Sequence, residues 1–250
     1  MADLSIQVTV FLILFARIGA VVMALPVFAE DSVPPQIRLV LALGLTLGLY
    51  GLLHQRVAVP PDGGGALMAA IVTQVVVGLA IGLLVRVLFS AATMAGAVIS
   101  LQIGLSSVLV PDAALGGQVP ILSRFIAVAA GVACMALGIH HLWIAAIVHS
   151  YDQFPVGALP PAADLAHLAI VALGRATELA VNMAAPLVVY GILFNTALGL
   201  AARMAPTLQV FFVAQPLNIL FGLTLFAMTF GAALTGFCYA MITFLHRQLL

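Results

Sequence analysis

Apolar stretches of about 20 residues recur near 6–28, 36–53, 66–89, 124–149, 175–201 and 211–244, divided by short connections rich in proline, glycine and charge. At about 1.5 Å per residue each can cross the roughly 30 Å of a bilayer's hydrocarbon, so the pattern predicts six membrane-entering helices. Residues 90–105 add a seventh helical piece, prolonging the third run with Ala91, Ala92, Ala95, Gly96, Ser100 and Gly104. The last run is longer than one crossing needs, which predicts a tilted, broken or two-part helix. The longest polar connections, 54–65 and 150–164, are too short to carry a core of their own. The expected fold is an all-α integral membrane protein with one embedded domain over 1–250: early helices in 1–105, a loop in 106–120 and later helices in 121–250.

That loop sits inside the segment SLQIGLSSVLVPDAALGGQVPILSR, residues 100–124. Ser106, Ser107, Pro111, Gly116, Gly117 and Pro120 oppose a continued helix, because glycine adds backbone entropy and proline removes a donor. Residues 108–110 and 119–122 nevertheless stay apolar, with Asp112 and Gln118 the polar exceptions nearby. Non-helical backbone at membrane depth survives only where protein buries it or where it lines a cavity. The segment is thus either an ordinary extramembrane connection or a constriction or lid in a pore.

Polar side chains inside the apolar runs are the next signal. Arg17 lies near the middle of the first run, where a charge costs about 2.5–3.5 kcal/mol on insertion scales, so it should face protein, water or a carboxylate, or snorkel. Thr73, Gln74 and Arg86 in the third run could donate to carbonyls of a neighbouring broken helix. Gly44 and Gly48, and Gly78 and Gly82, have the four-residue spacing that lets two helix backbones approach. Trp143 with His140, His141 and His149 at the end of the fourth run reads as an interfacial belt. In the fifth run Arg175, Glu178 and Asn182 share one helical face, where the ion pair neutralises itself and the asparagine can bond across an interface. Pro186 and Asn195 follow, and Arg203, Pro206, Gln209, Gln215, Pro216 and Asn218 mark a second broken-helix region.

With 64% hydrophobic and 6% charged residues, against roughly 45–50% and about 25% in soluble domains, the chain cannot build a water-facing surface. Eight basic residues, all arginine, balance eight acids, which excludes a polybasic surface and with it nucleic acid as a partner. Cys134 and Cys238 lie within apolar runs and read as small core residues. The start, MADLSIQVTV, has Asp3 and no base before the apolar run, so it reads as a first span and not a signal peptide. No GxSxG, GxxxxGK[ST] or GxGxxG is present, and the histidines lack the carboxylate-rich surroundings of a zinc site. The reading is therefore non-enzymatic, with no metal or cofactor. A small-solute transporter would want paired broken helices and acids at the midplane, and Glu178 is the one acid well inside a run.

Four longer pieces carry a resemblance: FARIGAVVMALPVFAEDSVPPQIRLVLAL, AGAVISLQIGLSSVLVPD, HHLWIAAIVHSYDQFPVG and LGLAARMAPTLQVFFVAQPLNILFGL. In this order and spacing, with Gln102 and Gly104 before the central loop, Phe154, Pro155 and Gly157 after the fourth run, and Arg203 and Pro206 followed by Phe211, the chain resembles the FliR family of flagellar biosynthesis proteins. Relatives of that family serve the virulence type III secretion injectisome. The chain departs from the family pattern at Pro111-Asp112, usually Asp-Pro, at Thr207 and Gln209, usually Gln and Asn, and near Asn218, where a basic residue is common. The resemblance implies bent helical hairpins and a non-enzymatic pore subunit of the inner-membrane export gate in the flagellar basal body. It further implies assembly with FliP and FliQ subunits, FlhB packed outside, and unfolded proteins as export substrates. It also implies that residues 106–120 form part of a plug in the closed channel.

Overall fold

The computed structural model describes residues 2–28, 33–57, 64–112, 117–157, 161–204 and 210–250. Among them run seven α-helices: α1 (Ala2–Ala24), α2 (Pro35–Leu53), α3 (Gly64–Ile103), α4 (Ile121–Ala136), α5 (Ile139–Gln153), α6 (Ala162–Met204) and α7 (Val210–Gln248). A short 3-10 turn, His54–Arg56, follows α2. One antiparallel hairpin, β1 (Leu109–Asp112) with β2 (Gly117–Pro120), joins α3 to α4. Five helices are long and apolar enough to cross a membrane alone, and α4 with α5 makes a sixth candidate. The chain is an all-α integral membrane protein.

The helix boundaries depart from the apolar runs in an instructive way. The third run and the small-residue piece after it are one helix of 40 residues, because alanines, serines and a lone glycine tolerate helical geometry. At about 1.5 Å per residue, α3, α6 and α7, with 40, 43 and 39 residues, are each roughly 60 Å long, twice what hydrocarbon requires. Pro186 and Pro216 lie inside α6 and α7 without ending them. The fourth run, expected as one helix, breaks instead. Leu137 closes α4 and Gly138, at φ +72°, begins α5, a backbone conformation that a side chain would strain. Of the second expected break, Pro206 and Gln209 lie outside the described residues.

The chain divides into two compact units. Unit 1 comprises Met1–Leu88, Gly138–Leu173 and Ile242–Leu250. Its core gathers Ile13, Leu14, Ile18 and Val21 of α1, Val77, Ile81 and Val85 of α3, and Ile139, Trp143 and Ile147 of α5. Trp143 is 2% exposed, so its ring is packed into this core and does not face outward as a belt residue's would in this chain. Gly78 and Gly82 lie flush against α1. A Cβ on Gly78 would stand 2.5 Å from the Arg17 carbonyl oxygen, and one on Gly82 would stand 2.6 Å from Ala24 Cβ. Gly44 and Gly48, with the same spacing, have nothing within 4 Å.

Unit 2 comprises Phe89–Leu137 and Gly174–Met241. Here α4 crosses α3 so closely that a Cβ on Gly96 would run into the backbone of Ser123. Phe89 meets Phe237 edge to face at 5.5 Å, and Phe125 packs on Phe226 and Phe230 at 6.2 and 5.3 Å. Cys134 and Cys238 are free and buried, as expected of small core residues.

Candidate functional site at the end of α3

The stretch expected as an irregular loop folds into a hairpin. Gly104 at φ +86° ends α3, and a turn closed by Val108 N–H donating to the Leu105 carbonyl at 3.1 Å leads into β1. Leu109 pairs with Pro120, Val110 with Val119, Pro111 with Gln118 and Asp112 with Gly117. Ile121 N–H donates to the Val108 carbonyl at 3.0 Å and carries the ladder into the first turn of α4. Two prolines are admissible because both strands of a two-stranded ribbon are edges, where a missing donor leaves no ladder bond unmade. Alternating valine and proline signalled extension, a pattern that the helix-breaking reading subsumed. Ser106, Ser107, Pro111, Gly117 and Gln118 are exposed and Pro120 is half-buried; Gly116 lies outside the described residues.

The root of this hairpin is a packed polar junction within unit 2. A helix leaves its last four carbonyls without intrahelical partners, and in α3 these belong to Ser100, Leu101, Gln102 and Ile103. Leu105 N–H donates to Ser100 at 2.8 Å, and Gly104 N–H is shared between Ser100 and Leu101 at 3.1 and 3.3 Å, the paired bonds of a Schellman cap. The other two carbonyls are served from α7. Asn218 Nδ2 donates to Gln102 O at 3.2 Å and to Ile103 O at 3.1 Å. Its Oδ1 accepts from the Tyr190 hydroxyl of α6 at 2.9 Å, which also approaches the Asn218 carbonyl at 3.1 Å.

Glycine stands at each contact around this junction. A Cβ on Gly191 of α6 would stand 2.9 Å from Gln102 Cδ, and one on Gly222 of α7 would stand 2.7 Å from Ile103 Cγ1. A side chain on Gly104 itself would collide with the Gln215 amide. Gln102, singled out from sequence, is therefore part of the site, whereas Tyr190, Gly191 and Gly222 were not anticipated. The sequence marks Asn218 as an interruption of hydrophobicity near a departure from the family pattern but gives it no partner; a lone asparagine two residues after Pro216 in an apolar run is the available signal.

Arg17 anchors a second polar cluster, in unit 1. It is 0% exposed and all three of its nitrogens donate: Nε to Gln74 Oε1 at 2.7 Å, Nη1 to the carbonyl and hydroxyl of Ser150 at 2.8 and 3.2 Å, and Nη2 to Phe154 O at 2.7 Å. The guanidinium carbon lies 4.0 Å from the centre of the Tyr151 ring. The expectation that Arg17 faces protein holds, and Gln74 accepts from it instead of donating to a broken helix. What balances the charge is the negative end of α5, whose last-turn carbonyls point at it, together with the Tyr151 ring face.

The remaining sequence candidates are spread along the helices. Arg86 is half-buried on α3. On α6, Arg175 and Glu178 pair at 2.8 Å and stand more than half exposed, with Asn182, Asn195 and Arg203 also exposed. Asn182 continues the face of the ion pair, while Asn195, 13 residues on, points about 140° away round the helix. Asp152 pairs with Arg56 at 2.6 Å.

Residues 8–243 match the family model described as bacterial export proteins, family 1. The chain is 37% identical to flagellar biosynthetic protein FliR of Caulobacter vibrioides over 90% of each chain. It is 33% identical to the Escherichia coli protein of that name, over 84% of this chain and 80% of the relative. It is 31% identical to the Bacillus subtilis one, over 84% and 81%. With nearly its whole length aligned to such relatives and its apolar helices in place, this chain belongs to the bacterial export proteins, family 1.

Proposed function

We propose that the chain is a non-enzymatic, pore-forming subunit of the flagellar type III protein export gate in the bacterial inner membrane. In this reading it assembles with FliP- and FliQ-family subunits, with an FlhB-family protein outside them, and unfolded export substrates pass through the assembly. Residues 106–120 close the conduit between passages.

The observation that carries the reading is the hairpin itself. Among the described residues β1 and β2 pair only with each other, so each strand has an outward edge of backbone donors and acceptors. Such edges cannot face lipid, where every unmet polar group costs several kcal/mol. They are tolerable in water outside the bilayer, in a water-filled channel or against another subunit, and the family resemblance favours the channel. A two-stranded ribbon is also marginal by itself, which suits an element that must give way to a passing chain. The relatives' names, all flagellar biosynthetic protein FliR, favour the flagellar system over an injectisome.

Deleting residues 113–117 in the assembled complex tests the proposal. Assembly should persist, measured by co-purification of the partner subunits, while ion leakage across the inner membrane rises. A complex that assembles and stays tight after the deletion removes the closure role from this segment.

A further inference from the structure

The hairpin hangs from a helix end that α3 does not complete by itself. Of the four terminal carbonyls of α3, two are met by the turn that follows and two by a side chain from another helix, Asn218. Those two, Gln102 O and Ile103 O, are the last before the chain reverses at Gly104. Gly104 and the cap bonds turn the chain into residues 105–108, and the two bonds from Asn218 tie that turned end to α7. Asn218 spends both amide hydrogens on them, and Tyr190 holds its oxygen at 2.9 Å, so the amide cannot turn without breaking three bonds. Asn218 is 8% exposed, and the absence of side chains at Gly104, Gly191 and Gly222 leaves α3, α6 and α7 no slack at this level.

From this arrangement we infer that Asn218, held by Tyr190, is the positioning residue of the hairpin. It latches the end of α3, and with it residues 105–112, to α7, and the paired strands β1 and β2 keep their placement only while that latch is made. The inference rests on the reading of this segment as the closure. It adds the mechanical link: displacement of the N-terminal part of α7 relative to the end of α3 frees the last two carbonyls and lets the hairpin swing about Gly104. Gln215, one turn before Asn218 on α7 and against Gly104, sits where it would follow the same displacement.

Two variants separate the latch from general stability. Asn218→Leu keeps the number and branching of side-chain heavy atoms, adds some bulk and loses all three side-chain bonds, while Tyr190→Phe removes one hydroxyl and leaves the packing intact. In the full complex both should accumulate within about twofold of wild type. Ion leakage should rise several-fold for Asn218→Leu and by less for Tyr190→Phe. Combined with deletion of 113–117, Asn218→Leu should add nothing to the leak of the deletion alone, because both act through one element. A spin label on Gln118→Cys should become more mobile when Asn218→Leu is added. Unchanged mobility, an additive leak in the combined variant, or Asn218→Leu losing the complex while Tyr190→Phe stays silent would each overturn the latch. A tight deletion with the label still mobilised by Asn218→Leu would instead retire the closure reading and leave the link between Asn218 and the hairpin standing.

Discussion

Arg17 Nη1 donates to the carbonyl of Ser150 at 2.8 Å, so a cation from the first helix closes the last turn of α5, 133 residues along the chain. Among the described residues no carboxylate takes part. The bonds are made to neutral acceptors, and the fork geometry of the guanidinium lets one side chain serve Gln74, Ser150 and Phe154 together.

Replacing Arg17 should therefore fail on geometry as much as on charge. Arg17→Met strands buried acceptors at about 1–3 kcal/mol each, and Arg17→Lys, with one compact ammonium, recovers only part of this. Thermal melting of the detergent-extracted complex, followed by size exclusion, should rank wild type above lysine above methionine. Equal melting of wild type and methionine variants would mean that α5 is held by other contacts.

The glycine pairs of α2 and α3 should behave oppositely despite identical spacing. Gly78→Val and Gly82→Val force α3 away from α1 and should sharply lower the amount of folded subunit. Gly44→Ala and Gly48→Ala meet no neighbour in this chain and replace the poorest non-proline helix former, a gain of about 1 kcal/mol each at most. Protease resistance of the extracted subunit compares the two sets directly.

For the exposed ion pair on α6, Glu178→Ala leaves Arg175 without its partner. It should reduce accumulation of the complex more than the double change Arg175→Ala with Glu178→Ala, as immunoblots of membranes can measure. Equal losses would show that the two residues serve different neighbours.

Asn182 stands exposed on the same face of an apolar helix. If a neighbouring subunit's helix covers it, Asn182→Leu removes an interhelical bond worth about 0.6 kcal/mol on average, roughly a threefold change in association. Co-purification of partner subunits in increasing detergent should fall accordingly. Full recovery at every detergent concentration would place Asn182 against lipid.

Much of the architecture was legible because apolar run length has a single physical meaning in a chain with so few charges. For Arg17 the cost of a charge left protein, water, a carboxylate or snorkelling open, and the spacing that marked Gly78 and Gly82, which abut α1, marked Gly44 and Gly48 equally, which meet nothing within 4 Å. Local features misled where two explanations shared a signal. Gly and Pro in 106–120 oppose a helix but do not oppose a two-stranded ribbon. Trp143 beside histidines suits a headgroup boundary and a core equally well in one dimension. Gly138 was indistinguishable from packing glycines such as Gly78, because its left-handed backbone leaves no trace in composition. The junction of Asn218 with the end of α3 joins residues 115 or more apart, and no periodicity along one helix could reveal which carbonyls would need an outside donor.

The length of α3, α6 and α7 has a cellular consequence. Roughly half of each rod exceeds what acyl chains can cover, yet large apolar side chains such as Leu101 of α3, Leu200 of α6 and Phe221 of α7 stand exposed on them, so an unaccompanied copy would present sticky stems to the aqueous phase. Synthesis out of step with companion subunits should then be self-limiting: surplus copies become substrates for membrane quality-control proteases, and the ratio of components in the finished machine is enforced by degradation of whatever is left over.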